Sequence, residues 1–283
     1  MIGHRVWLAA RERLETWVTI RQDLSSQPWL EIFDSSRLIP GVSANDPHSL
    51  DRALELSRPD VVFNAIGLIK QRAGASDSGA AFQANSFVPH FLRARCDVLG
   101  ARLVHVSTDC VFTGTRGNYS ESDVPDALDV YGLTKRLGEI GAPHLTIRTS
   151  AIGRSLAGSA GLLEWLLGQQ GAVSGWTRAF FSGLGTPTLA DTIVAVITEH
   201  TDLAGVWHVA APRIDKFTLI SRLCDAFSLP VTIEPEAQPA IDRSLNDERF
   251  RHATGIARPG WDEMVGRLAS DPLPYDQLRM GDR

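Results

Sequence analysis

Short apolar runs, each separated from the next by a helix-length stretch, constrain this chain more than any other feature. Pro59-Asp-Val-Val-Phe-Asn64 leads to Ala65-Ile-Gly67, Leu103–Val106 leads to Ser107-Thr108-Asp109, and Leu145-Thr-Ile-Arg148 follows. Runs this short and rich in Val, Ile and Phe read as buried strands. Between them lie a helix from the Asp46 cap and Pro47 to about Ser57, a long amphipathic helix over 80–99, and a helix starting at Tyr131. Parallel neighbours need such crossovers, so the alternation predicts a parallel sheet built of βαβ units.

Upstream, 4–14 reads as a helix and Trp17–Ile20 as a short strand followed at once by Arg21. Beyond about residue 150 the alternation loosens. Helices are expected over Gly158–Leu167, from Thr186-Pro187 to about His200, over Lys216–Phe227, and as two short pieces around Pro259 within 246–268. Val206–Val209 and Val231–Glu234 read as strands, and Gly171–Gly185 is glycine-rich and aromatic. The boundaries follow: 1–150 as the sheet domain and 151–283 as a smaller, partly interleaved lobe over the carboxyl ends of the strands.

Composition narrows the class of partner. A net charge of −5 without a basic block gives no footprint for nucleic acid or an anionic membrane surface. The 3 cysteines, Cys96, Cys110 and Cys224, are too few and too scattered for a disulfide framework or a CxxC metal site. No apolar run approaches the roughly 18 residues of a membrane span, and Arg11-Glu12-Arg13 interrupts any signal-peptide core. The expectation is a cytoplasmic protein without a metal.

Chemistry concentrates between Leu103 and Glu139. Tyr131 and Lys135 are four positions apart and share a helix face, so the ammonium can approach the phenol. A free phenol has a pKa of about 10; a neighbouring cation lowers it, which suits acid-base work on a carbonyl or alcohol. Thr108, or Ser107, would hydrogen-bond the same oxygen. Asp109 either tunes the tyrosine or holds a substrate hydroxyl, or else caps the following turn. His105 reads as a core histidine and Cys110 as a small apolar residue.

Ligands of open parallel sheets bind at the carboxyl ends of the strands. There, Arg21 either pairs with the 2′-phosphate of NADP or is a solvated surface arginine. Asn64, Ala65, Ile66 and Gly67 either let a flat ring and ribose approach the backbone or serve close strand–helix packing. Trp176 is a candidate for lining a substrate pocket, and Arg243 for neutralising a diphosphate, with core and surface roles as their alternatives.

Val104-His-Val-Ser-Thr-Asp-Cys-Val-Phe-Thr-Gly114 with Tyr131-Gly-Leu-Thr-Lys135 resembles the extended short-chain dehydrogenase/reductase family, and within it the dTDP-4-dehydrorhamnose reductase branch. Asp60–Gln71, Arg148-Thr-Ser150, Gly161–Trp165, Phe181-Ser-Gly183, Gly205–Ala210 and Asp242–Leu245 extend the likeness over nearly the whole chain. The resemblance implies an α/β, Rossmann-like doubly wound parallel sheet with a smaller C-terminal substrate lobe. It also implies NADPH-dependent reduction of the C4 carbonyl of a nucleotide-linked 4-keto-6-deoxy sugar for surface polysaccharide. In that scheme Tyr131 delivers the proton and Thr108 holds the carbonyl oxygen. Lys135 lowers the tyrosine pKa and binds the nicotinamide ribose. The alternatives are a UDP-amino-sugar epimerase or reductase, or a non-catalytic regulatory subunit of the same fold. A homodimer is the assembly to test.

Two departures stand out. The family opens with a buried strand and a Gly-x-x-Gly-x-x-Gly loop, whereas Met1-Ile2-Gly3-His4 matches only the loop's end, with Ile2 and Gly3 left to meet the cofactor. A start lacking about ten residues of that pattern is the expectation, leaving two strands with unpaired edges. At Ala151 the branch tends to carry an aromatic near the sugar, so the sugar stays open.

Overall fold

The computed structural model describes residues 1–22, 28–69, 77–158 and 161–279. Its first half runs α1 (Ile2–Ala10), β1 (Val18–Thr19), β2 (Leu38–Ile39), α2 (Pro47–Ser57), β3 (Val61–Asn64), α3 (Ser78–Phe82), α4 (Val88–Leu99), β4 (Arg102–Thr108), α5 (Val130–Leu137) and β5 (Leu145–Thr149). The second half continues with β6 (Ala151–Ile152), α6 (Leu162–Leu167), β7 (Gly171–Trp176), β8 (Ala179–Phe181), β9 (Leu184–Gly185), α7 (Thr186–Thr198), β10 (Gly205–His208), β11 (Ile214–Asp215) and α8 (Lys216–Phe227). It closes with β12 (Val231–Glu236), β13 (Ile241–Asp242), α9 (Glu248–Thr254), α10 (Trp261–Ala269) and α11 (Tyr275–Leu278).

Local chemistry sets several of these boundaries. The Asp46 carboxylate accepts the His48 amide at 3.1 Å and Pro47 occupies the first helical position, so α2 begins at its cap. The helix expected over 80–99 is divided: a π turn over Gln83–Phe87 joins α3 to α4. Pro89 supplies the reason, since it has no N–H to give the carbonyl four residues back, that of Asn85. The first helix starts and ends earlier than 4–14.

The main sheet has the order β10–β5–β4–β3, all parallel. Its edge strand β10 comes from the second half of the chain and lies in register on β5, Gly205 against Leu145. The strands run in one direction, β3 ending at Asn64 beside His105 and β4 running on to Thr108 beside Thr149, so their carboxyl ends lie on one side of the sheet. A single apolar core runs from Val104, Leu145 and Ile147 of the sheet to Leu189 and Ile193 of α7 and Leu219 and Leu223 of α8. Each such side chain, wholly removed from water, contributes about 1.5–3 kcal/mol.

Among the described residues β1 pairs only with β2, and β3 only with β4. The parallel sheet is thus in two pieces, and the free edge of β3 is less covered than its neighbour. Val61, Val62 and Phe63 are half-buried, while Leu103 and Val104 of β4 are fully buried. No helix among the described residues is long and apolar enough to cross a membrane.

Candidate active site

The rim at the end of β4 carries the densest chemistry. Thr108 ends the strand and caps the turn Asp109–Val111: its hydroxyl accepts the Cys110 amide at 3.1 Å and donates to the Asp109 carboxylate at 3.1 Å. Helix α5 is capped by Asp129, which accepts the Gly132 amide at 3.0 Å. Gly132 decides how closely that helix can sit, because a Cβ there would come within 2.4 Å of the Cys110 carbonyl oxygen. The bare backbone lets the first turn of α5 rest on the Thr108 turn, and Tyr131 is brought to Thr108. Burial drives the Tyr131 pKa up, reinforced by Cys110, Asp109 and Asp129, while the Thr108 hydroxyl pulls it down. At neutral pH the group is a phenol with a proton to give.

Lys135 takes a different place from the one expected. It is 5% exposed, and its ammonium donates to the Val106 carbonyl at 2.6 Å. A strand carbonyl offers a short charge-assisted bond, and the ammonium takes it. Burial brings the Lys135 pKa down to about 8, with Glu139 opposing. The His105 ring lies 3.5 Å from the same ammonium. Asn64 accepts the Ile66 amide at 3.0 Å, so its amide nitrogen donates to His105 Nδ1 at 3.1 Å and leaves the ring proton on Nε2, toward Lys135. Burial, with Lys135, holds this histidine well below the usual range and therefore neutral. His105, read from sequence as core, is tied to Asn64 at the end of β3 and packs beside the lysine.

The two hydroxyls have different partners. Ser107 donates to Glu139 at 2.7 Å, and Arg148 grips the same carboxylate through two bonds of 2.7 Å each. Ser107 is committed there, leaving Thr108 beside Tyr131. Neither Glu139 nor Arg148 was singled out from sequence, because the pair spans two elements. Asn85 was missed too. Fully buried in the π turn, it holds the Leu68 amide (2.8 Å) and carbonyl (3.1 Å) and donates to Thr134 of α5 (3.2 Å). Ser86 donates to the Thr134 carbonyl at 2.7 Å, and a Cβ at Gly138 would lie 1.8 Å from the Asn85 carbonyl oxygen. The available signal was an Asn-Ser pair inside an apolar helical pattern just before a proline.

On the other side of the rim stand the residues expected to meet a cofactor. Gly3, in the first turn of α1, packs against Ala65, which a Cβ would meet at 3.4 Å; a Cβ at Gly67 would lie 3.3 Å from the Asn85 side chain. The head of α1, with Ile2 at its start, therefore abuts the Asn64–Gly67 loop. Arg21 is exposed in the bend after β1. The Lys70-Gln71 end of the Asp60–Gln71 motif lies outside the described residues.

Opposite them lies a three-stranded sheet, β11–β8–β13, from the second half. It delivers two cations to Asp109. Arg243, just after β13, donates to the Phe112 carbonyl at 2.8 Å, and Lys216 opens α8 just after β11. Burial raises the Asp109 pKa, and Thr108, Arg243, Cys110 and Lys216 oppose it. Lys216 was not among the sequence candidates. Trp176, which was, is 42% exposed at the end of the β7–β12 ribbon. Ala151 is half-buried in β6.

Known proteins resemble this chain in sequence and fold. A dTDP-4-dehydrorhamnose reductase of Burkholderia thailandensis is 29% identical over 259 residues, covering 80% of this chain and 87% of its own. The crystal structure of a hypothetical dTDP-4-dehydrorhamnose reductase from Sulfolobus tokodaii superposes with a TM-score of 0.73 at 25% identity, over 92% of this chain and 94% of that one. The Bacillus anthracis dTDP-4-dehydrorhamnose reductase, crystallised with NADP, shares the fold with a TM-score of 0.74 at 19% identity, over 89% and 97%. The model of the RmlD substrate binding domain matches residues 35–271, which hold the Thr108–Tyr131–Lys135 rim, the Asn85 brace and the Arg243 side of the site, and the chain belongs to that family.

Proposed function

We propose that this protein reduces the C4 carbonyl of a dTDP-linked 4-keto-6-deoxy sugar with hydride from NADPH, supplying a precursor of surface polysaccharide. Family membership carries the coarser class, an NADP(H)-using oxidoreductase acting on a nucleotide-linked sugar. The observation that supports the finer step is the protonated Tyr131 phenol beside the Thr108 hydroxyl at the end of β4.

Bound NADPH supplies the hydride, two electrons and a proton's mass, to the carbonyl carbon. Thr108 orients the carbonyl oxygen, and Tyr131 donates its proton to that oxygen as charge develops there, giving an alcohol. Lys135, fixed under β4 by Val106, places positive charge behind the phenol and faces the ribose side. Gly3, Ile2 and the Asn64–Gly67 loop take the dinucleotide and Arg21 its 2′-phosphate. Arg243 faces the substrate diphosphate and Trp176 the far wall of the substrate side. In this scheme residues 1–150 carry the cofactor face and 151–283 the substrate face of a cytoplasmic enzyme. Leu133 and Leu137, 40% and 57% exposed on α5, support a homodimer through that helix.

The test is NADPH oxidation in the presence of dTDP-4-keto-6-deoxy sugars. The wild-type chain turns over, and Tyr131→Phe lowers kcat by about 10²- to 10⁴-fold with little change in NADPH binding. Unchanged turnover in Tyr131→Phe, or a wild-type chain inert toward 4-keto sugar nucleotides, would overturn the proposal.

A further inference from the structure

Lys216 stands where a lysine has little structural reason to be. It is the first residue of α8, the positive end of a 12-residue helix, where acidic side chains are favoured and cations are not. Its cap, Asp215, is engaged with the Thr218 amide at 2.8 Å and the Thr218 hydroxyl at 2.7 Å. The Lys216 ammonium lies 4.1 Å from the centre of the Phe181 ring and makes no hydrogen bond or ion pair among the described residues. Burial brings its pKa down to about 8, with Asp109 and Cys110 opposing. Half-buried by surface exposure and resting on the Phe181 ring, the ammonium sits at an adverse helix end with no carboxylate bonded to it among the described residues.

The residue facing it is Asp109. The carboxylate accepts the Thr108 hydroxyl, and it and Lys216 act on one another without closing into an ion pair. Such a pair, an acceptor on one side and a donor on the other, is complementary to a hydroxyl, which both donates and accepts. β11 and β8 hold Lys216 in this place: Asp215 pairs with Phe180, and Ile214 with Phe181.

We infer that Lys216 and Asp109 together form a subsite for a hydroxyl of the substrate's sugar ring, the carboxylate accepting its proton and the ammonium donating to its oxygen. The subsite rests on the nucleotide-sugar reading above and deepens it, because it assigns recognition of the sugar, rather than of the nucleotide, to the start of α8. It involves no bond making or breaking.

Titration calorimetry of the full chain with dTDP-L-rhamnose and, separately, with dTDP tests it without requiring turnover. Lys216→Met, close in shape and uncharged, weakens dTDP-L-rhamnose about tenfold or more and leaves dTDP unchanged, the loss of one charge-assisted hydrogen bond. Lys216→Arg keeps most of the sugar affinity, and Lys216→Gln serves if the Met variant loses the wild-type circular dichroism. Equal affinities in wild type and Lys216→Met overturn the subsite, as does a parallel loss for dTDP, which would place the lysine on the diphosphate. A wild-type chain that binds no dTDP-L-rhamnose overturns it as well. A chain that binds the sugar nucleotide through Lys216 and leaves NADPH unoxidised instead sinks the reductase reading and keeps the subsite.

Discussion

In the wall made by β4 and α5, site residues are braced from several directions. Thr108 holds its own turn, Lys135 is tied to Val106, and Asn85 joins the loop after β3 to α5. The corner made by α1, β1 and β2 is built on other terms. Among the described residues β1 has two residues and pairs only with β2, Arg21 is exposed, and Gly3 lies against Ala65. Thr108, Lys135 and Asn85 of the wall are thus held by side-chain hydrogen bonds, whereas the corner's hydrogen bonds, such as His4 to Tyr275 and Ile20 to Ile39, do not involve the Arg21 side chain. Chemistry that demands exact placement of a proton belongs on the braced side. Recognition of a long, charged dinucleotide tolerates the looser one, since much of its affinity comes from backbone and charge.

The largest effect expected from this contrast is a pH dependence confined to the wall. Lys135 titrates at about 8 in the folded chain against its ordinary 10.5, so between those values the unfolded chain holds more protons. Stability attributable to this group therefore rises with pH across the window, the burial penalty being fully present below about pH 8. Urea denaturation of wild type against Lys135→Met should show a difference that grows by roughly 3 kcal/mol in favour of wild type from pH 8 to 10.5. A flat difference would mean that the ammonium is not buried as described.

A smaller effect is expected where wall and corner meet. Asn85→Ala removes the partners of the Leu68 amide and carbonyl and of Thr134, and should cost about 2 kcal/mol in denaturant unfolding. It should also raise the KM for NADPH more than it lowers kcat, because the loop is loosened and Tyr131 is left in place. Equal losses in both parameters would show that the brace serves the catalytic turn as much as the cofactor loop.

The smallest effect belongs to the corner. Arg21→Ala should raise the KM for NADPH by roughly three- to tenfold and leave NADH unaffected, since an exposed cation contributes modestly even to a phosphate. If NADH suffers equally, Arg21 is not reading the 2′-phosphate.

Much of the wall was legible because its signals are local. The strand ending at Thr108, the α5 start and the Tyr131–Lys135 spacing all lie within one stretch, and the α2 cap at Asp46-Pro47 is a matter of adjacent residues. The Lys135 anchor on Val106 was not foreseen, because spacing says which residues share a helix face, not which carbonyl receives the ammonium. Asn85, Glu139, Arg148 and Lys216 escaped notice for a related reason. Each acts across the fold, on Leu68, Ser107 or Asp109, from a position whose neighbours in sequence give no hint of it.

By itself the sequence determined the βαβ alternation, the caps and the pair of reactive side chains, because periodicity and capping are short-range properties of the chain. Only the tertiary structure decided that Thr108 rather than Ser107 faces the phenol, that burial keeps that phenol protonated, and that β11 carries a lysine to Asp109. Those outcomes depend on which distant groups compete for the same proton or charge, and that competition exists only once the strands have been brought side by side.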